Sequence, residues 1–264
     1  MARKLGQLQT AALAYVQMRE YRSVQTGQLA AALRMTVKQE RELLSRMARA
    51  GLIVNVRKGL YLFPQKLPLG GVWTPDEATA VNALMTDKRA PYQITGPSAF
   101  NRYGYDEQIP SGITLYNTAI SGERTIGRIS LTLIKVSNDR LGDTEQVEMP
   151  GGETLIYSSR VRTLIDAVYD WSRFDSLPRA YDWIRRDLDT GRIASKDLAA
   201  SAMRYGNMST IRRIGVVLEQ AKAEPRILDR LQRALAPSSA KIPFVPERPT
   251  RGPLLKRWGV VVNA

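Results

Sequence analysis

Leu8, Ala11, Ala12, Tyr15 and Val16 recur at helical spacing, which predicts a first helix from about Gly6 to Arg19. Thr26 has the character of an N-cap and predicts a short second helix, Gly27 to Leu33. Arg34-Met35 is the turn. Thr36 then opens a third helix, with Gln39 three residues later in a capping-box pattern. Gly51 stands where a C′ glycine would end it. On that helix Val37, Glu40, Leu43, Leu44 and Met47 fall toward one side. Lys38, Arg41, Glu42, Ser45 and Arg49 fall toward the other, with Gln39 and Arg46 on the borders. Two apolar runs follow, Leu52-Ile53-Val54 and Leu60-Tyr61-Leu62-Phe63. They are joined by Val56-Arg57-Lys58-Gly59, which predicts a hairpin with Arg57 and Lys58 at its tip. Helix, turn, helix and hairpin in this order predict a winged helix-turn-helix, a module that reads DNA.

The pattern then changes twice. From Thr74-Pro75-Asp76-Glu77, a helix start, the central region predicts a helix through Met85, a strand at Tyr92–Thr95 and a short helix opening at Gly96-Pro97. Strands are predicted at Ile113–Asn117, Ile129–Ile134 and Thr154–Tyr157, and turns at Ser121–Arg124 and Asn138–Gly142. We expect a small antiparallel sheet here. After Ser158-Ser159 the periodicity is helical, over Arg160–Val168, Leu177–Leu188, Ala194–Tyr205, Thr210–Ala221 and Pro225–Leu235. Residues 237–253, rich in Pro, Ser, Lys and Arg, predict an extended arm. Arg257-Trp258-Gly259-Val260-Val261-Val262-Asn263 is too apolar for a free tail and is expected to dock as a strand. The expected fold class is α+β: an N-terminal winged helix-turn-helix over 1–74, then a region over 75–264. The latter divides into a mixed α+β part (75–157), a helical part (158–236) and an arm with a terminal strand (237–264).

Composition narrows the chemistry. The 264 residues contain no Cys and no His, which excludes disulfides, thiolate nucleophiles, Ser-His-Asp and Cys-His catalysis, and His-ligated zinc. No Walker A sequence, G-x-G-x-x-G or EF-hand loop is present, and no (D/E)-x-K triad is supported. We therefore expect no catalytic residues, no metal site and no cofactor. Net charge is +14, and it is uneven. Residues 1–66 hold twelve Lys/Arg against three acids (Glu20, Glu40, Glu42), net +9, while the remaining 198 hold 27 basic and 22 acidic groups, net +5. That concentration is the footprint of a nucleic-acid-binding domain. No apolar run reaches the ~20 residues of a membrane span, and the start of the chain lacks an apolar signal core, so a cytoplasmic protein without a membrane partner is expected. The basic pairs Arg185-Arg186 and Arg212-Arg213 read as solvated helix faces, with a second DNA contact or an acidic partner as the sharper alternative. Tyr169, Trp171, Tyr181 and Trp183 read as core rather than as a stacking platform.

The helix-turn-helix followed in order by RKGLYLFP, YQITGPSAFNRYGY, SSRVRTLIDAV, STIRRIGVVLE and PTRGPLLKRWGVVVN resembles the AbiEi antitoxin family of bacterial type IV toxin–antitoxin systems, over nearly the whole chain. The resemblance implies a winged-helix repressor that binds inverted repeats in its own operon. It also implies a C-terminal antitoxin activity against a nucleotidyltransferase-like toxin, without requiring a stable complex with it. On the resemblance Lys38, Gln39, Arg41, Ser45, Arg46 and Arg49 would face double-stranded DNA, and Arg57 and Lys58 would be the wing contacts. Thr163 and Asp166 match the family's T-L-x-D segment, for which a capping or structural role is the plainer reading. With Arg212 and Arg213 they are the candidates in the antitoxin region. The rival reading keeps the DNA module and makes the rest a sensor of a small-molecule ligand.

Overall fold

A computed structural model describes residues 5–68 and 72–263. The fold is mixed α+β. Helix α1 (Gln7–Met18) buries Ala12, Leu13 and Val16 against α2 (Val37–Arg49), which contributes Leu43, Leu44 and Met47. Between them lie β1 (Ser23–Gln25) and a run of turns over 26–34. The short second helix expected at Gly27–Leu33 therefore does not form. Gly27 sits at φ +106°, outside helical space, and the amides of Gly27 and Leu29 are taken by the Glu40 carboxylate at 2.6 and 2.9 Å. Within the segment, the bond from the Leu33 amide to the Leu29 carbonyl is the one helical bond from a residue to the fourth before it, so the backbone closes turns rather than a continuous helix. Val37, placed on the inner side by its spacing, is exposed.

Strands β2 (Val54–Arg57) and β3 (Leu60–Leu62) form the expected hairpin, although Leu52 and Ile53 precede it as buried core residues. Gly59 at φ +83° permits the tip. β1, which the sequence pattern did not announce, pairs antiparallel with β3 and makes a three-stranded sheet in the order β1-β3-β2. The back of this sheet is apolar. Val54, Val56, Leu60 and Leu62 belong to the same buried cluster as α3 (Glu77–Lys88) and the central sheet. The packing thus continues across residue 74.

The central sheet has six strands: β4 (Tyr92–Ile94), β5 (Ile113–Asn117), β6 (Gly122–Ile126), β7 (Ile129–Lys135), β8 (Thr144–Glu148) and β9 (Thr154–Ser158). Their order is β6-β7-β5-β4-β9-β8. It is mixed rather than antiparallel, because β5 runs parallel to β7 and β4 parallel to β9. The expected turn at Ser121–Arg124 is instead the start of β6. Its side chains are exposed up to Ile126, as at the edge of a sheet, and so carry no alternating signal. β8 is a second exposed edge of the same kind.

One face of the sheet packs on the β2–β3 hairpin and α3, the other on a helical layer. That layer comprises α4 (Gly96–Arg102), α5 (Arg160–Tyr169), α6 (Trp171–Phe174), α7 (Arg179–Asp189), α8 (Ser195–Tyr205), α9 (Met208–Gln220) and α10 (Pro225–Arg233). Residues 210–218 of α9 are all buried. The arm is not free. Strands β10 (Ile242–Pro243), β11 (Leu254–Leu255) and β12 (Val260–Val261) form a small sheet, and Phe244 and Val245 are buried. Tyr181 stacks on Phe244 at 4.0 Å and its hydroxyl donates to the Phe244 carbonyl at 2.6 Å. Trp258 lies flat over Gly215 of α9, where an added Cβ would overlap the indole ring, and its Nε1 donates to Glu219 at 2.8 Å. Among the described residues no helix is long and apolar enough to cross a membrane.

Candidate nucleic-acid interface

The basic face of α2 is set by what anchors its other face. Thr36 and Gln39 form the capping box: the Thr36 hydroxyl accepts from the Gln39 amide at 3.2 Å, and the Gln39 carboxamide oxygen accepts from the Thr36 amide at 2.8 Å. Gln39 therefore has its carboxamide oxygen committed to the cap. Its Nε2 donors make no hydrogen bond among the described residues. Glu40, fully buried, ties the helix to the turn segment through Gly27 and Leu29. A lone acid amid apolar inner positions was the sequence signal for this contact, although its partners lie outside any local pattern.

With that side fixed, Lys38, Gln39, Arg41, Glu42, Ser45, Arg46 and Arg49 are exposed. Arg41, Glu42, Ser45, Arg46 and Arg49 line a shallow hollow on the surface. None of Lys38, Arg41, Arg46 and Arg49 forms an ion pair among the described residues. At 13 residues the helix is ~20 Å long, a length that fits the major groove.

The hairpin tip divides its two cations. Lys58 is exposed and forms no ion pair among the described residues. Arg57 is held by Asp87 of α3 through two bonds. Nε donates at 2.8 Å and an Nη donates to the other carboxylate oxygen, while a further Nη bond reaches the Lys58 carbonyl at 2.8 Å. The hydrogen bond from Arg57 draws the Asp87 carboxyl below the usual carboxylate range. Arg22 is likewise paired with Glu153, whose carboxylate also accepts from Thr79 and Asn82 at 3.0 Å. These two pairs flank a cleft of ≈ 330 Å³ between the three-stranded sheet and α3, lined by Gln25, Leu60, Asn82, Asp87 and Arg89 among others.

The candidates in the C-terminal part are interior groups. Asp166 is fully buried. It accepts from Arg162 and Arg140 at 2.9 Å each, from Thr95 at 2.9 Å and from Ser158 at 3.3 Å. Arg162 also donates to the carbonyls of Gly142 and Arg140. Thr163 is buried, and its hydroxyl reaches the Ser158 carbonyl at 3.4 Å. Arg212 and Arg213, expected on a solvated face, are 8% and 6% exposed. Arg212 donates to the Ala240 carbonyl at 2.9 Å and Arg213 to the Pro243 carbonyl, so both hold the arm. Burial lowers the affinity of Arg213 for its proton. Arg185 pairs with Asp182 on the surface of α7, whereas Arg186 bonds the Gly104 carbonyl. Tyr181 and Trp183 are core, and Tyr169 and Trp171 are partly buried. Among the described residues no three acidic, His or Cys groups are placed to share a metal ion.

No protein-family model and no curated protein sequence matches the chain. In overall shape it is similar to a solved structure described as the crystal structure of the RV2827C protein from Mycobacterium tuberculosis. The identity is 14% and the TM-score 0.59, over 98% of this chain and 92% of that one, a likeness of fold alone.

Proposed function

We propose that the N-terminal module is a winged helix-turn-helix and that the chain is a sequence-specific, double-stranded-DNA-binding repressor of its own operon. One observation carries this reading. Lys38, Arg41, Arg46 and Arg49 stand together on the exposed side of a capped helix, none of them ion-paired among the described residues, with Lys58 at the adjoining hairpin tip. Long donors without internal partners suit phosphates and guanine edges. Arg57 is already bonded to Asp87, so the wing contact rests on Lys58. The resemblance to AbiEi proteins extends the reading: a cytoplasmic type IV antitoxin, neutralising a nucleotidyltransferase-like toxin with no chemistry of its own. Here Asp166, Thr163, Arg212 and Arg213 act as the frame of the C-terminal part rather than as contacts with the toxin.

A gel shift with the DNA upstream of its operon tests the first half. Arg41→Glu with Arg49→Glu should abolish the shifted band, and undiminished binding would overturn the assignment of α2. Co-expression of the full chain with an adjacent nucleotidyltransferase-like gene tests the second, and continued growth arrest would overturn it. A second reading, a regulator responding to a small ligand, is favoured by the cleft between the wing sheet and α3. Thermal stabilisation by a metabolite, lost on Asn82→Ala, would support it.

A further inference from the structure

Glu42 is the one acid on the outward side of α2, and one of three acids against twelve Lys and Arg in residues 1–66. Glu40 on the same helix is buried and bonded to backbone amides. Glu42 is exposed and forms neither an ion pair nor a hydrogen bond among the described residues. Cations stand one turn away on either side. Arg46 follows it by four positions, the favoured order for a helical ion pair, and Lys38 precedes it by four. Elsewhere in the chain such neighbours do close, Arg162 on Asp166 and Arg185 on Asp182. The Glu42 carboxylate is therefore left open in the hollow it lines with Arg41, Ser45, Arg46 and Arg49.

Its place on the helix gives the open carboxylate a task. At ~100° per residue, the anchored side of α2 centres among Glu40, Leu43, Leu44 and Met47. Lys38, Glu42, Ser45 and Arg49 lie within about 30° of the opposite direction, whereas Arg41 and Arg46 stand about 70° to either side of it. With α2 seated in the major groove, the central row faces the base edges and the two flanking arginines face the phosphate walls. A carboxylate among phosphates is repelled, so Glu42 contributes to binding only where a base offers it a donor. Two bases do so in this groove, cytosine through its N4 amino group and adenine through N6. Adenine sets the N7 acceptor beside N6, which repels a carboxylate, whereas cytosine presents its donor alone. We infer that Glu42 is a specificity-determining residue, whose carboxylate accepts from the N4 amino group of a cytosine. This role rests on the DNA-binding reading above and names the base edge that α2 demands.

Selection from a randomised duplex pool with the full chain, followed by affinity measurements on single-base changes in the enriched site, tests it. Wild type should enrich a site holding an invariant cytosine, and replacing that base should weaken binding by roughly 5- to 150-fold. Glu42→Ala should bind the four bases at that position with nearly equal affinity. Glu42→Gln should turn the preference there from cytosine to adenine, whose N6 and N7 a carboxamide matches. Both variants should melt like wild type, and both should bind unrelated DNA more tightly, since a negative charge has gone. Variants that gain affinity uniformly while enriching the wild-type site would overturn the inference, because Glu42 would then only repel. Wild type that enriches no sequence would instead overturn the DNA-reading role of α2 as a whole, so the two failures are told apart.

Discussion

Arg41 and Arg162 carry the same cation in opposite circumstances. Arg41 stands in solvent on α2 among Lys38, Arg46 and Arg49, none of them ion-paired among the described residues. Arg162 has no exposed surface and bonds the Asp166 carboxylate and two carbonyls. Arg140, Arg160, Arg212 and Arg213 follow the second pattern, each bonded to a buried carboxylate or to a carbonyl of the arm. On α2 the cations are therefore offered outward, whereas these five arginines of the C-terminal part are structural fasteners, as Arg57 and Arg22 are where the N-terminal sheet meets α3. Net charge separates the two regions, and bonding separates them further. A guanidinium with its donors already satisfied gives little to a phosphate.

The sharpest way to break this contrast is to remove an acceptor from the interior. Asp166→Ala strands Arg140 and Arg162 and should cost about 3–5 kcal/mol in urea unfolding. A loss below about 1 kcal/mol would show that the network is not structural. Arg41→Glu with Arg49→Glu should do the opposite, shifting stability by less than about 0.5 kcal/mol. Each lost base contact should weaken operator binding by about 1–3 kcal/mol. Each lost phosphate contact should flatten the slope of log K against log salt by ~0.9. Gly215→Ala pushes a methyl into the Trp258 ring and should cost about 1–3 kcal/mol, accompanied by a change in tryptophan fluorescence.

Among the interior acceptors the smaller effect belongs to Asp87→Asn, which loosens a part-exposed pair with Arg57 and should cost under about 1 kcal/mol at neutral pH. Because the folded-state pKa of Asp87 is depressed, its contribution is present above the unfolded value near ~3.9. It is lost as pH falls through the folded value. Melting curves of wild type and variant should therefore converge in acid, and a gap that persists there would argue against the pair as the cause.

Helices were legible because their signals are local. The capping box at Thr36, the apolar periodicity of α5 and α7 to α10, and the break at Gly206-Asn207 all stand where the sequence places them. What failed was non-local. The segment at Gly27 is anchored by a carboxylate thirteen residues on, β1 is a strand only because β3 lies beside it, and β6 and β8 are edges without a buried face. Parallel pairing of β5 with β7 leaves no mark on either strand alone. The candidate interface was legible in its residue types, whereas the capture of Arg57 by Asp87, thirty positions away, was not. Likewise Arg212 and Arg213 resemble a solvated pair until the arm is laid across them.

The seat of Trp258 on Gly215 has a consequence in time. The indole that closes the helical layer is translated about forty residues after the glycine it covers. At ~5–20 residues per second the bare side of α9 waits on the order of seconds for its lid, while the N-terminal module is already complete behind it. A newly made chain thus passes through a stage in which the N-terminal module is finished and the other end still shows uncovered apolar surface.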